Sequence, residues 1–337
     1  MRIFIASPGF YYDGFNSKLR GEGRWLVHMA GVLVAAGHDV TIFSNDMVRP
    51  YTDQGVDFDS ILNVRSDIEC DIVVSMDAFV DVPHLGQTEI SPLIARLKAP
   101  KKVQALFFPT AQEVYDYIPV IHPWKWGKGH FVPIITHSAV TSPGFDRTRF
   151  HWYSKRPNET PEYLVGVLKG LLGLVTDHGA TGGLFVDGVW ISSDDYRNCT
   201  SETEEESKTI FTQIMQSGGS ESLGTWAPYD YIQESILNSK LLVGIHHPVA
   251  APSMAEALAS GTFPVIFENQ KSCPPFDKCD FPFIPLDSNE SDIVEFITRA
   301  WLDKDFFEKS VLLGQEAIVD HAQDRASRLI INFFEEL

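Results

Sequence analysis

The sequence predicts an α/β fold built as two doubly wound parallel-sheet domains. Three observations carry that prediction. Short, wholly apolar runs alternate with amphipathic stretches, the alternation restarts near Arg149, and 337 residues exceed one ordinary core and suit two. Strands apolar throughout are those that helices cover on both faces.

Arg2–Ala6 is read as the first buried strand. The segment from Gly23 to Ala36 follows as a helix, with Trp25, Met29, Val32 and Leu33 on one face, and Gly37-His38 stops it. Val40–Phe43, Asp71–Ser75, Val103–Phe107 and Val132–Thr136 continue the sheet. The second series opens with the strand Phe150–Tyr153 and the helix Pro161–Leu174. Then come strand Gly183–Val186, helices Glu202–Gln216 and Tyr229–Asn238, strand Leu241–Ile245, helix Ser253–Ser260 and strand Pro264–Phe267. Three helices finish the chain: Ser291–Leu302, Asp305–Val319 and Asp320–Glu336. The loop Ser138–Arg149, with its Pro143-Gly144 turn, is the expected hinge. The expected domains are 1–143 on the acceptor side and 144–319 on the donor side, with a cleft between them and the segment 320–337 packing back on the first.

Charge narrows the function. The chain has 27 basic and 45 acidic side chains, a net charge of −18, so a general polyanion-binding surface is not expected and a nucleic-acid partner is disfavoured. Four cysteines without a C-x-x-C pair read as reduced thiols. Cys273 and Cys279 enclose five residues, a poor zinc spacing. No leader precedes the first strand and no long apolar run exists, so neither a signal peptide nor a transmembrane segment is expected, and the expected location is cytoplasmic. The sequons at Asn158, Asn198 and Asn289 then carry no information. The sequence has no P-loop, no G-x-G-x-x-G after a strand, no H-E-x-x-H and no G-x-S-x-G. The D-x-D triplets Asp57-Phe58-Asp59 and Asp303-Lys304-Asp305 are expected by chance in so acidic a chain; no metal is expected.

The most informative stretch runs from Leu241 to Asn269. A strand ends in a His-Pro turn, a short helix starts at Pro252-Ser253, and Gly261 ends it before the next strand. The first turn of such a helix presents unpaired amides and the positive end of its dipole, a site suited to a diphosphate. Glu256 lies one turn in, placed to accept hydrogen bonds from ribose hydroxyls. The competing reading is a capping box, Ser253-x-x-Glu256, which on spacing alone is the commoner case.

The stretch Pro252–Ile266, with Asn269, is similar to the donor-binding motif of family 4 glycosyltransferases, retaining enzymes with two Rossmann-like domains, the GT-B fold. Glu256-Ala257-Leu258-Ala259-Ser260-Gly261 matches the second Glu of that motif and its E-A-x-x-S/A-G surroundings. The resemblance implies that Glu256 binds the nucleotide ribose and that amides near Ser253, Met254 and Ala255 receive the diphosphate. Where the family has its first Glu stands Pro248, with His246 and His247 beside it; His247 is the candidate donor contact.

The N-terminal region resembles the family too: Arg20-Gly21-Glu22-Gly23-Arg24 precedes the helix and Gly37-His38-Asp39-Val40 closes it. Gly21 is the candidate for close backbone approach to the diphosphate. Phe150-His151-Trp152-Tyr153-Ser154-Lys155-Arg156 opens the second domain, where the family carries a basic pair. Arg156, then Lys155, are candidates to neutralise the departing diphosphate. His137 is the candidate histidine near the reacting sugar, and Tyr12, Trp124 and Trp126 the acceptor-side aromatics, with plain packing the alternative for the tryptophans. The implied activity is hexosyl transfer from a nucleotide-diphosphate sugar to a hydroxyl of a glycan, lipid-linked sugar or small molecule, with retention and with neither cofactor nor metal. A nucleotide-sugar epimerase and a catalytically silent sugar-binding module are the alternatives.

Overall fold

The computed structural model describes residues 1–7, 21–44, 49–64, 69–76, 99–106, 119–124, 129–136, 140–154, 163–186, 189–192, 236–244, 252–271 and 275–337. The chain divides into two compact units, Met1–His137 with Asp320–Leu337, and Ser138–Val319. Each is a mostly parallel sheet with helices, as the apolar strands require.

In the first unit β1 (Arg2–Ser7), β2 (Asp39–Ser44), β3 (Tyr51–Asp53), β4 (Val56–Ser60), β5 (Ile72–Met76), β6 (Lys101–Ala105), β7 (Val120–His122) and β8 (His130–Phe131) form a sheet in the order β3-β4-β2-β1-β5-β6-β7-β8. Only β3 runs antiparallel to its neighbour, through a hairpin in which Gln54 and Gly55 both take positive φ. Asp57 and Asp59 of the D-x-D triplet lie on β4 and are held locally: Thr52 Oγ1 donates to Asp57 at 2.6 Å, and Asn63 Nδ2 to Asp59 at 2.7 Å. Helix α1 (Gly21–Ala35) packs against β2 and β4, on which Ile42 and Phe58 are register partners and buried. Its Trp25 is buried and donates Nε1–H to the Val132 carbonyl at 3.0 Å.

The expected strand Val132–Thr136 is not a strand. Thr136 forms a one-residue parallel bridge with Ala322 and donates N–H to the His321 carbonyl at 2.9 Å. The partner of this stretch is thus the chain's return into the first unit. The last helix of that return (Gln323–Glu336) lies against α1 with Ala326, Ile330 and Phe334 buried.

In the second unit β9 (Arg149–Ser154), β10 (Thr181–Val186), β11 (Val189–Ser192), β12 (Leu241–Gly244) and β13 (Phe263–Val265) pair in the order β11-β10-β9-β12-β13. Helix α2 (Tyr163–His178) links β9 to β10, and α3 (Pro252–Ala259) lies between β12 and β13. Helices α4 (Glu290–Leu302) and α5 (Lys304–Ala317) follow; the returning helix of the first unit is α6. Asn289 starts α4 with a reciprocal capping box to Asp292, and Asp303 starts α5 by accepting the Phe306 N–H, which assigns a structural role to the second D-x-D triplet. Helix α2 meets α4 along Gly166 and Gly170: an added Cβ there would lie 3.1 Å from Ile293 Cβ and 3.0 Å from Ile297 Cδ1. A Lys169–Glu290 ion pair at 2.6 Å closes the rim of that seam.

The expected hinge loop is not a free linker. From Thr141 to Thr148 it is fastened inside the second unit: Thr141 N–H donates to the Ala259 carbonyl, Gly144 N–H to the Gly261 carbonyl, and Arg147 to three acceptors. The Pro143-Gly144 turn, expected at the domain junction, lies within that unit. The expected helices Glu202–Gln216 and Tyr229–Asn238 fall outside the described residues, except for 236–238.

Candidate functional site

The second sheet has two edges. At the carboxyl edge β12 ends at Gly244, and α3 starts from that side at Pro252, proline being favoured in a first helical turn. The amides of Ser253, Met254 and Ala255 lie in that turn and have no carbonyl four residues back within the helix. Glu256 follows on the same helix and is 2% exposed. A carboxylate at that depth must be met by hydrogen-bond donors. Ser253 is the second residue of α3.

The other half of the resembling motif reaches the amino edge. Gly261 ends α3 with φ +76°; its N–H donates to the Leu258 carbonyl at 3.0 Å, and Thr262 N–H to the Ala257 carbonyl at 2.8 Å. An added Cβ at Gly261 would sit 2.3 Å from the Ser142 carbonyl oxygen. Glycine is required twice here, by its conformation and by the close passage of the 141–148 segment. Ser260 and Thr262 turn their hydroxyls inward: Ser260 Oγ donates to the Ala257 carbonyl at 2.9 Å, and Thr262 Oγ1 donates toward the Ser239 carbonyl at 2.7 Å.

Two titratable groups lie between and below these ends. His151, on β9 in register with Gly183 and Leu242, is fully buried; burial, aided by the Arg149 charge, pushes its imidazole down to about 3, so it is neutral at physiological pH. Lys240, just before β12, places Nζ 3.6 Å from the Phe145 ring centroid, 4.8 Å from Trp301 and 5.9 Å from Phe307. Burial lowers its ammonium to about 8, partly opposed by the Asp146 carboxylate.

In the first unit, Gly21, Glu22, Gly23 and Arg24 form the first turn of α1 and not a loop ahead of it. Arg24 is buried, and His28 is buried one turn on. Trp124 packs in the core: it is 1% exposed, with its ring 4.7 Å from that of His321. The packing alternative therefore describes Trp124. Tyr12, Trp126, His137, Lys155, Arg156 and His247 lie outside the described residues, as do His246 and Pro248. Arg147 and Gln315, which bind the end of α3, carried no signal in the sequence, because they lie far from it along the chain.

No protein-family model and no curated protein sequence matches this chain. Solved structures do. Sucrose-phosphate synthase from Thermosynechococcus elongatus is similar with a TM-score of 0.60 at 10% identity, over 99% of this chain and 98% of that one. HepE from Anabaena, solved with UDP and glucose, is similar with a TM-score of 0.57 at 11% identity, over 100% of both chains. An alpha-glucosyltransferase, solved with UDP-glucose and DNA containing an abasic site, is similar with a TM-score of 0.54 at 13% identity, over 99% of this chain and 98% of that one. These neighbours are glycosyltransferases with two Rossmann-like domains, and the fold of this chain is theirs, GT-B. Among the described residues, no helix is long and apolar enough to cross a membrane.

Proposed function

We propose that this chain is a glycosyltransferase that moves a hexosyl group from a nucleotide-diphosphate sugar to an acceptor hydroxyl. The observation that carries the reading is Glu256, a buried carboxylate on the helix that leaves the carboxyl edge of the second sheet, where open α/β sheets bind ligands. Full-length likeness to glycosyltransferase structures supports it. In this reading Glu256 accepts the ribose hydroxyls and the first-turn amides of Ser253, Met254 and Ala255 meet the diphosphate. The bond from the anomeric carbon to the diphosphate oxygen breaks, a bond to the acceptor oxygen forms, and the acceptor proton leaves. Arg156 and Lys155 neutralise the departing diphosphate, and His137 and His247 line the reacting sugar. Gly21 is carried over from the resemblance as a donor contact, and Tyr12 and Trp126 as acceptor-side residues.

Retention of configuration follows from the family resemblance. The reading takes transfer to need neither metal nor cofactor; Asp57, Asp59 and Asp303 of the D-x-D triplets accept hydrogen bonds within the fold. The acceptor is a glycan, lipid-linked sugar or small molecule; a net charge of −18 speaks against nucleic acid. The free thiols of Cys70 and Cys279 suit a cytoplasmic location.

The test is a thermal-shift panel of UDP, GDP, ADP and TDP and their sugars on wild type and Glu256→Gln. One nucleoside diphosphate should raise the melting temperature of wild type, because it binds only the folded state. Glu256→Gln should weaken that ligand about 10- to 100-fold, the effect of losing hydrogen bonds to a charged group. No binding by wild type, or equal binding by the variant, overturns the reading. Pro248, where the family places a Glu, favours a silent sugar-binding module as the second reading. Release of nucleoside diphosphate from the nucleotide sugar separates it from the first.

A further inference from the structure

We infer that Arg147 and Gln315 are positioning residues for the nucleotide, gripping the end of α3 so that Glu256, one turn away, is held in place. The inference rests on the donor-site reading above. Helix α3 has eight residues, about 12 Å, too short to be stable by itself. Its rotation and axial position must be imposed from outside.

The imposed contacts sit at one end. The Leu258 carbonyl accepts from Gln315 Nε2 at 2.8 Å, and the same nitrogen donates to the Thr141 carbonyl at 2.7 Å. The Ala259 carbonyl accepts from Thr141 N–H at 2.8 Å. The Ser260 carbonyl accepts from Arg147 Nη2 at 2.6 Å, while Nη1 donates to the Ser239 carbonyl at 3.0 Å and to Thr262 Oγ1 at 3.1 Å. Three consecutive carbonyls at the negative end of the helix dipole thus meet donors from distant parts of the chain, one of them a cation.

The route to the site is one turn long. Ser260 N–H donates to the Glu256 carbonyl at 2.9 Å, and Arg147 holds the carbonyl of that same Ser260. A slip of one residue would turn the helix by about 100° and carry the Glu256 carboxylate with it. The fork of a guanidinium suits three acceptors in different directions; a lysine offers one point charge in its place.

The experiment is a double-mutant cycle on affinity for the nucleoside diphosphate that wild type binds. It uses wild type, Arg147→Met, Arg147→Lys, Glu256→Gln and the double variant Arg147→Met/Glu256→Gln, each well below its melting temperature. Arg147→Met should weaken binding about tenfold and Arg147→Lys about threefold, and Arg147→Met should cost less than about twofold once Glu256 is already Gln. If Arg147→Met binds like wild type while Glu256→Gln does not, or if the two losses multiply in the double variant, Arg147 is only structural and the inference falls. Should Arg147→Met not fold, Gln315→Leu and Thr262→Val take its place in the same cycle. A wild type that binds no nucleoside diphosphate defeats the donor-site reading itself, a result distinct from either of these.

Discussion

The two edges of the second sheet are built on opposite principles. The amino edge is closed: Arg147, Thr141, Ser260, Thr262 and Gln315 satisfy one another, and Gly261 admits a backbone segment where any side chain would collide. The carboxyl edge ends in the first turn of α3, Pro252 to Ala255, followed by the buried Glu256. A single stretch of sequence, Pro252 to Thr262, serves both edges. The resemblance in that stretch therefore includes residues that the structure shows holding the fold, Ser260, Gly261 and Thr262 among them.

Breaking the closed edge should have the largest effect. Gly261→Ala forces a Cβ onto the Ser142 carbonyl and a left-handed backbone onto alanine, and should destabilise the protein by about 2–4 kcal/mol in urea unfolding. A loss near zero would show that the segment at Ser142 moves aside freely.

His151, buried between the edges, sharpens the comparison through pH. It stays neutral in the folded chain down to about 3, whereas in the unfolded chain it takes a proton below its ordinary 6.5. The unfolded state then binds more protons, so stability falls as pH falls through that window. Between pH 7 and pH 5 the expected loss is about 2 kcal/mol. His151→Gln should flatten that part of the profile, as measured by unfolding at several pH values.

The smallest effect belongs to Lys240. Its ammonium is lowered to about 8, so the folded chain gives up that proton before the unfolded chain does. Stability should rise between pH 8 and the ordinary lysine range, by an amount on the order of 1 kcal/mol after solvent screening. Lys240→Met should remove that rise and keep the packing on Phe145 and Trp301.

Much of the architecture was legible because period and punctuation are local properties. The apolar run Arg2–Ala6, the Gly37 stop and the Gly261 stop all mark elements that the structure contains. The β3–β4 hairpin carries little signal because its strands are only three and five residues long. Val132–Thr136 was misread because an apolar run records burial and not hydrogen-bond partners; here the partner is His321, 185 residues away. Of the candidate site, the sequence marks only Glu256, which stands beside a recognisable turn; Arg147 meets Ser260 across 113 residues and nothing local marks it.

The second unit interrupts the first along the sequence, which has a bearing on biosynthesis. β1 through β8 leave the ribosome long before Asp320–Leu337, the piece that brings His321 beneath Thr136 and buries Ile330 and Phe334. The later-made unit can complete itself first, while the earlier one waits with part of its apolar interior uncovered. Chaperone protection during translation should accordingly matter more for the first-made half than for the second.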